Sequence, residues 1–255
     1  MSANAFELRG VTKTFGATTA LADVSIAVPR RSIVGLLGRN GSGKTTLLHH
    51  VTGLVLPTSG SCITLGADAC TLGAEELSRI GVVNQRDTLL GWMRVHQLLS
   101  YVSTFYRTWD QALQAELVRT LDIDVDARVG ALSPGNAQKV GLVVATCHHP
   151  ELLLLDEPLS DLDPFARREV LGMLLGRFRS DDITIVISSH MIQDIERVID
   201  RVILLEQGRV VADAELDALK EAHGKNLEQI FLELVGREKD VTLAHSGAGE
   251  PAGRA

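Results

Sequence analysis

Residues Gly38 to Thr46 read GRNGSGKTT, which satisfies every fixed position of G-x-x-x-x-G-K-[ST] and is entered directly from the apolar run Ile33-Val34-Gly35-Leu36-Leu37. A strand that leaves through such a turn into a helix confines the chain to folds that bind a nucleotide phosphate at a strand's carboxyl end. Gly38, Gly41 and Gly43 let the backbone turn tightly. The N–H groups of the run, through Arg39, Asn40 and Ser42, can then point inward at phosphate oxygens. Lys44 reaches the β- and γ-phosphates, the Thr45 hydroxyl ligates Mg²⁺, and Thr46 opens the helix beneath them. Thr46-Leu47-Leu48, Val51 and Leu54 recur at helical spacing, as that helix requires.

The 255 residues suffice for one large α/β domain or two modest ones. No apolar stretch approaches the roughly 18 residues of a membrane span, and the N-terminus lacks a basic start followed by an apolar core. A soluble, cytoplasmic chain is the expectation. Cys62, Cys70 and Cys147 are widely spaced and form no CxxC pair, which argues against a disulfide framework and against zinc. A net charge of −7 argues against nucleic acid, because a duplex binder carries a basic face.

Apolar β-branched runs alternate with helical patterns, which predicts an α/β domain with a largely parallel sheet. Strands are predicted at Phe6–Leu8, Val24–Val28, Ile33–Leu37, Leu152–Leu155, Ile183–Ile187 and Val202–Leu205. Between about Val95 and Val129 the apolar residues space themselves helically instead. Leu98, Leu99, Val102, Phe105 and Tyr106 form one set, and Leu113, Leu117, Val118 and Leu121 the next. This predicts a helical subdomain over about 89–145, inserted into a core of about 1–88 and 146–236. Beyond Gly236 periodicity is lost, and residues 237–255 are expected to be a disordered tail.

Leu152-Leu153-Leu154-Leu155-Asp156-Glu157-Pro158 suits a strand buried on both faces, with two carboxylates at its carboxyl end. Asp156 is placed to hold Mg²⁺, and Glu157 to polarise the water that attacks the γ-phosphorus. His190 follows the strand Ile183–Ile187 and the pair Ser188-Ser189, from which it can contact the γ-phosphate. Gln85, where core meets insert, can bind Mg²⁺ and the attacking water. The remaining histidines read as structural or surface residues.

Taken in order, the phosphate loop, Gln85, Leu132-Ser133-Pro134-Gly135-Asn136-Ala137-Gln138-Lys139, the LLLLDEP strand, Ser160-Asp161-Leu162-Asp163-Pro164 and His190 resemble the nucleotide-binding subunit of ATP-binding-cassette transporters. The resemblance spans roughly residues 4 to 236. A regulatory GTPase would carry an Asn-Lys-x-Asp motif, absent here, and a chromosome ATPase would need coiled-coil arms. The resemblance implies a P-loop NTPase (RecA-like) core with a mainly parallel sheet, an N-terminal antiparallel β region and the inserted helical subdomain. It further implies Mg²⁺-dependent ATP hydrolysis, a homodimer or heterodimer of such domains, and an integral-membrane subunit on a separate chain that holds this one at the inner face of the cell membrane.

Residue by residue, Phe15 matches the aromatic that stacks on adenine, and Ser133 and Gly135 match the signature that binds the γ-phosphate on the opposite subunit. Asp163 matches a loop that touches the facing subunit and also reads as a helix cap followed by Pro. Pro134 stands where Gly is commoner and removes an N–H, which points to slower hydrolysis or to one half of an asymmetric pair. Leu89, Leu90, Trp92 and Met93 are expected to form a groove for a helix of the membrane subunit. Pro57-Thr58-Ser59-Gly60, Phe105–Asp110 and the helix around Asn226–Leu234 look like bacterial exporter ATPases. The competing readings are a regulatory or assembly module that binds ATP and hydrolyses it weakly, and a soluble cassette ATPase acting on ribosomes or DNA.

Overall fold

A computed structural model describes residues 3–85, 89–176 and 183–246, with the side chains of 173–176 and 237–246 left out. Two sheets form the core. β1 (Asn4–Phe15), β2 (Thr18–Pro29), β4 (Ser59–Thr64) and β5 (Ala67–Asp68) make an antiparallel sheet in the order β2-β1-β4-β5. The larger sheet adds β3 (Ile33–Leu37), β6 (Ile80–Val83), β7 (Leu152–Asp156), β8 (Thr184–Ser189), β9 (Arg201–Glu206) and β10 (Arg209–Glu215), ordered β10-β9-β3-β8-β7-β6. Its strands are parallel except for β10 on the edge. All six predicted strands lie on these elements or within a residue of them. The short β5 and the edge strand β10 have no comparably strong apolar run to announce them.

The central strands are apolar throughout because both of their faces are covered. Leu36, Leu152, Leu154 and Val186 point to the side carrying the antiparallel sheet and α1 (Lys44–Val51). Leu37, Leu153, Leu155, Ile185 and Ile187 point to the other side, into a core that continues without a break into the insert. The insert contains α3 (Val95–Ser103), α4 (Gln111–Thr120) and α5 (Pro134–Thr146); a short α2 (Ala74–Leu77) precedes β6. Leu98, Leu99, Leu113, Leu117, Leu121 and Val140 bring these three helices into the same apolar cluster as the sheet. The insert therefore shares the core of the domain that carries it.

Three helical expectations shift. Leu54 lies beyond the end of α1 and is 67% exposed. α3 ends at Ser103, so Phe105 and Tyr106 belong to the connection; Phe105 is exposed, and Tyr106 stacks on buried His148 with ring centroids 4.1 Å apart. In the same connection Asp110 caps α4 by accepting from the Leu113 N–H, and Trp109 Nε1 donates to Gln114 Oε1. Finally, α9 (Leu227–Ser246), which comes after α6 (Pro164–Gly176), α7 (Ile192–Ile195) and α8 (Leu216–His223), runs well past Gly236. Arg237-Glu238-Lys239 are good helix formers with no Gly or Pro among them, so backbone propensity carries the helix on where apolar periodicity fades. Residues 247–255 lie outside the described residues.

Glu151 ties the sheet's lower edge together. Its carboxylate accepts from Arg79 Nε at 2.6 Å and Nη2 at 2.9 Å, and from Arg30 Nη1 at 2.7 Å. The Arg79 bonds, ahead of those from Arg30, hold its pKa down from 4.5 to about 2. A depressed carboxylate stabilises the fold above its unfolded value of 4.5, and that stabilisation is lost as pH falls toward about 2. The group is partly solvated, so the contribution is modest. Glu151→Gln is expected to lower the thermal midpoint near neutral pH, with the gap to the native chain shrinking by about half by pH 3. Parallel curves across that range would contradict the assignment.

Candidate active site

β3, β7 and β8 are adjacent and parallel, with Leu37 level with Ser189 and Asp156 level with Ser188. Their carboxyl ends therefore deliver the phosphate loop, the acidic pair and His190 to one place, the crevice where open α/β sheets bind ligands. Gly43 has φ 108°, and a Cβ there would lie 2.5 Å from the Ala20 carbonyl oxygen. Only glycine lets the loop pass this close to β2 before α1 begins.

Within the crevice the polar groups hold one another. Thr45 Oγ1 donates to Asp156 Oδ2 at 2.6 Å, and Ser188 Oγ donates to Asp156 Oδ1 at 2.5 Å. The Ser188 hydroxyl also accepts from the Glu157 N–H at 2.9 Å. Glu157 itself has φ 50°, a left-handed conformation that costs a non-glycine residue stability and turns its side chain back over the loop. One carboxylate oxygen lies 3.2 Å from Lys44 Nζ, the other 2.9 Å from His190 Nδ1. Lys44 and Glu157 are both buried, and Lys44 also donates to the Gly38 carbonyl at 2.8 Å. A cavity of about 240 Å³ opens beside them, lined by the loop from Asn40 to Thr46, Thr18–Ala20 of β2, Gln85 and Glu157.

These residues fit Mg²⁺ and a nucleoside triphosphate. Thr45 Oγ1 and Asp156 are adjacent hard oxygen donors, the ligand type Mg²⁺ selects, and Gln85 lines the same cavity. Lys44 supplies a buried cation. Among the described residues the buried Ser42 hydroxyl finds no hydrogen-bond partner, and an incoming phosphate oxygen would satisfy it.

The remaining predicted residues stand elsewhere. Phe15 ends β1 with its ring half exposed and Lys13 Nζ 4.9 Å above its centroid; Thr18–Ala20, across the turn, line the cavity. Ser133 and Gly135 sit at the start of α5 and are not among the residues lining the phosphate cavity. Ser133 is the helix cap, its Oγ accepting from the Asn136 N–H at 3.3 Å. Pro134 occupies the first turn, where a missing N–H breaks no bond within the helix. A Cβ on Gly135 would lie 2.7 Å from the Asp161 carbonyl oxygen, so close packing on that loop already demands glycine. Asp163 caps α6 through the Phe165 and Ala166 N–H groups; the bonds from Ala166 and then Phe165 lower its pKa.

The expected groove at Leu89, Leu90, Trp92 and Met93 is divided. Met93 is buried in the core and Leu89 and Leu90 pack against it, whereas Trp92 is 70% exposed. Several parts of the site escape the sequence. Ser188 reads there only as half of a serine pair, yet it bridges Asp156 and Glu157. A second cavity of about 470 Å³ lies on the other side of the loop, walled by Arg39, His190, Glu206 and Phe231 of α9. An apolar groove of about 350 Å³ runs between Leu54, Leu77 and Val82. Spacing along the chain carries no sign of either cavity, because each is assembled from distant segments.

Residues 21–160 match the family model described as ABC transporter. The chain is 31% identical over 235 residues to the bacitracin transport ATP-binding protein BcrA of Bacillus licheniformis, covering 91% of this chain and 76% of that protein. It is 33% identical over 240 residues to the Nod factor export ATP-binding protein I of Bradyrhizobium diazoefficiens, covering 91% and 77%. Among solved structures, an ATP-binding subunit of an ABC transporter superposes with a TM-score of 0.82 at 25% identity, over 91% of this chain and 99% of that one.

Proposed function

This chain belongs to the ABC transporter family as an ATP-binding subunit, and from that premise we propose that it hydrolyses ATP with Mg²⁺ to drive export through a separate membrane subunit. The observation that carries the reading is the meeting of Lys44, Thr45, Asp156, Glu157 and His190 at three adjacent strand ends. Export follows from the relatives, one named for bacitracin transport and one for Nod factor export.

When bound, ATP would supply the electrophilic phosphorus and the negative charge that the loop neutralises, and Mg²⁺ would take up part of that charge. Lys44 leaves Glu157 for the β- and γ-phosphates, as Arg39 to Thr46 wrap them with N–H groups. Thr45, Asp156 and Gln85 would hold Mg²⁺. Freed of Lys44, Glu157 takes a proton from the water as its oxygen bonds to the γ-phosphorus and the bond to the β-phosphate oxygen breaks, releasing ADP; His190, 2.9 Å away, keeps the carboxylate turned toward the γ-position. Phe15 stacks on the adenine from the β1–β2 turn.

Ser133 and Gly135 lie outside the phosphate cavity and act on the nucleotide of a second ATP-binding subunit, identical or different. Two nucleotides buried between such subunits favour the closed pair, and hydrolysis removes that preference. Pro134 withholds one N–H from the facing phosphate, which slows this step without distorting α5. The chain works at the cytoplasmic face of the membrane, held there by its partner; among the described residues no helix is long and apolar enough to cross it.

Trp92 is the surface anchor for that partner, since a large exposed aromatic is the residue type that dominates binding when buried in an interface. In vesicles carrying both subunits, Trp92→Ala is expected to cut transport roughly ten-fold or more while ATP affinity stays at the native value. Native transport by the variant would remove Trp92 from the interface. A tagged chain that brings down only soluble proteins from detergent-extracted membranes would count against transport altogether.

A further inference from the structure

β1 ends in Lys13-Thr14-Phe15, and alternate residues of a strand share a face. Lys13 and Phe15 use that spacing, since the Lys13 ammonium lies 4.9 Å from the centroid of the Phe15 ring, over its face. The ammonium is itself held. Its Nζ donates to the Leu56 carbonyl at 2.8 Å, in the connection between α1 and β4. The backbone ties the same connection to β1, with the Thr58 N–H donating to the Thr12 carbonyl at 2.8 Å and the Thr14 N–H to Thr58 Oγ1 at 3.1 Å. A lysine at a strand end is thereby fixed behind an aromatic ring at the cost of its rotamer freedom.

Phe15 pairs with Thr18 across the turn Gly16-Ala17, and Thr18 lines the phosphate cavity. The ring therefore stands at the rim of that cavity. Lys13 covers one face, yet 51% of the residue is exposed, so ring surface remains for a planar group to stack on. A Cβ on Gly16 would meet nothing within 4 Å, and the turn leaves the approach open. Aromatic faces are both electron-rich, which weakens a direct stack of one on another. A cation behind one of them draws that density away, and a ring already held loses less freedom when its partner arrives.

We propose that Lys13 is a positioning residue for the nucleobase, the back layer of a three-layer stack with Phe15 in the middle and adenine in front. This rests on the stacking of adenine on Phe15 proposed above. Lys13 acts through the ring, so its contribution should vanish when the ring is removed. A lysine that attracted the phosphates directly, or that only stiffened the Leu56 connection, would keep its effect without the ring.

The test is a double-mutant cycle read by calorimetric titration with ADP, which carries the base and is not turned over. In the native background Lys13→Met, which keeps an apolar stem and loses the charge, is expected to weaken ADP binding roughly three-fold, and Lys13→Arg to retain most of the affinity. In a Phe15→Leu background, Lys13→Met should change ADP affinity by less than about 1.5-fold. Unaltered affinity of Lys13→Met in the native background, or an equal loss in both backgrounds, overturns the proposal. If Phe15→Leu alone binds ADP as the native chain does, the stacking on Phe15 fails first, and the role of Lys13 falls with it.

Discussion

Glu157→Gln is expected to lower ATP hydrolysis on the order of 10²- to 10⁴-fold, the range that a positioned base contributes, and at the same time to make this chain pair. The substitution keeps the side chain's shape, although it leaves the buried Lys44 cation without its counter-charge until phosphate arrives. An amide of the same shape can accept from Lys44 through its oxygen and donate toward His190 through its nitrogen, so both contacts of the carboxylate at 3.2 and 2.9 Å have a successor. The negative charge disappears, and with it the ability to take a proton from water. ATP then binds and stays, and the closed pair that two buried nucleotides favour is no longer dispersed by hydrolysis. Size-exclusion light scattering should show the 27.5 kDa chain doubling its mass with Mg²⁺-ATP and returning to monomer with ADP. A mass that stays monomeric while ATP binds would mean that Ser133-Pro134-Gly135 does not serve a second copy of this chain, and that the facing signature comes from a different subunit.

The chemical residues are legible in the sequence because each lies at the end of an apolar run. Ile33–Leu37, Leu152–Leu155 and Ile183–Ile187 need no alternation, since both faces of the sheet are covered, and an uninterrupted run marks where a central strand stops. The residues just past each stop must then stand at the carboxyl edge, which places the loop, the acidic pair and His190 without coordinates. The relations between runs are a different matter. That Ser188 joins Asp156 to Glu157 depends on the register of β7 against β8, and register is not written in either strand alone. Phe105 and Tyr106 mislead because an aromatic at helical spacing looks the same whether it continues α3 or folds back, as Tyr106 does onto His148. Trp92 and Met93 are neighbours of similar hydrophobicity with opposite fates, one at the surface and one in the core. Their difference comes from the turn that precedes α3, where the Met93 carbonyl accepts from the Val129 N–H and pins the backbone to the far end of the insert.

Lys44→Ala should do two separable things. Phosphate affinity falls, roughly 10- to 100-fold, through loss of a charge-assisted contact to the triphosphate. Stability without nucleotide falls as well, because Lys44 and Glu157 are an ion pair at side-chain exposures of 6% and 5%. Removing one member of a buried pair leaves the other charge uncompensated, at a cost of about 3–5 kcal/mol, which for a chain of this size is on the order of ten degrees in Tm. Among the described residues, the Glu157 oxygen that faces Lys44 has no hydrogen-bond partner to take over. The second substitution that repairs this is therefore specific. Lys44→Ala combined with Glu157→Gln should regain at least half of the lost midpoint, since the stranded charge is gone, while remaining inactive. Lys44→Ala combined with Asp156→Asn should regain nothing, because both Asp156 oxygens are already held by Thr45 and Ser188. Equal recovery by the two double variants, or none by either, would mean that Lys44 is not balanced by Glu157 before ATP arrives. The step in which phosphate draws the lysine off the carboxylate, and so frees the base as the substrate binds, would then have no foundation.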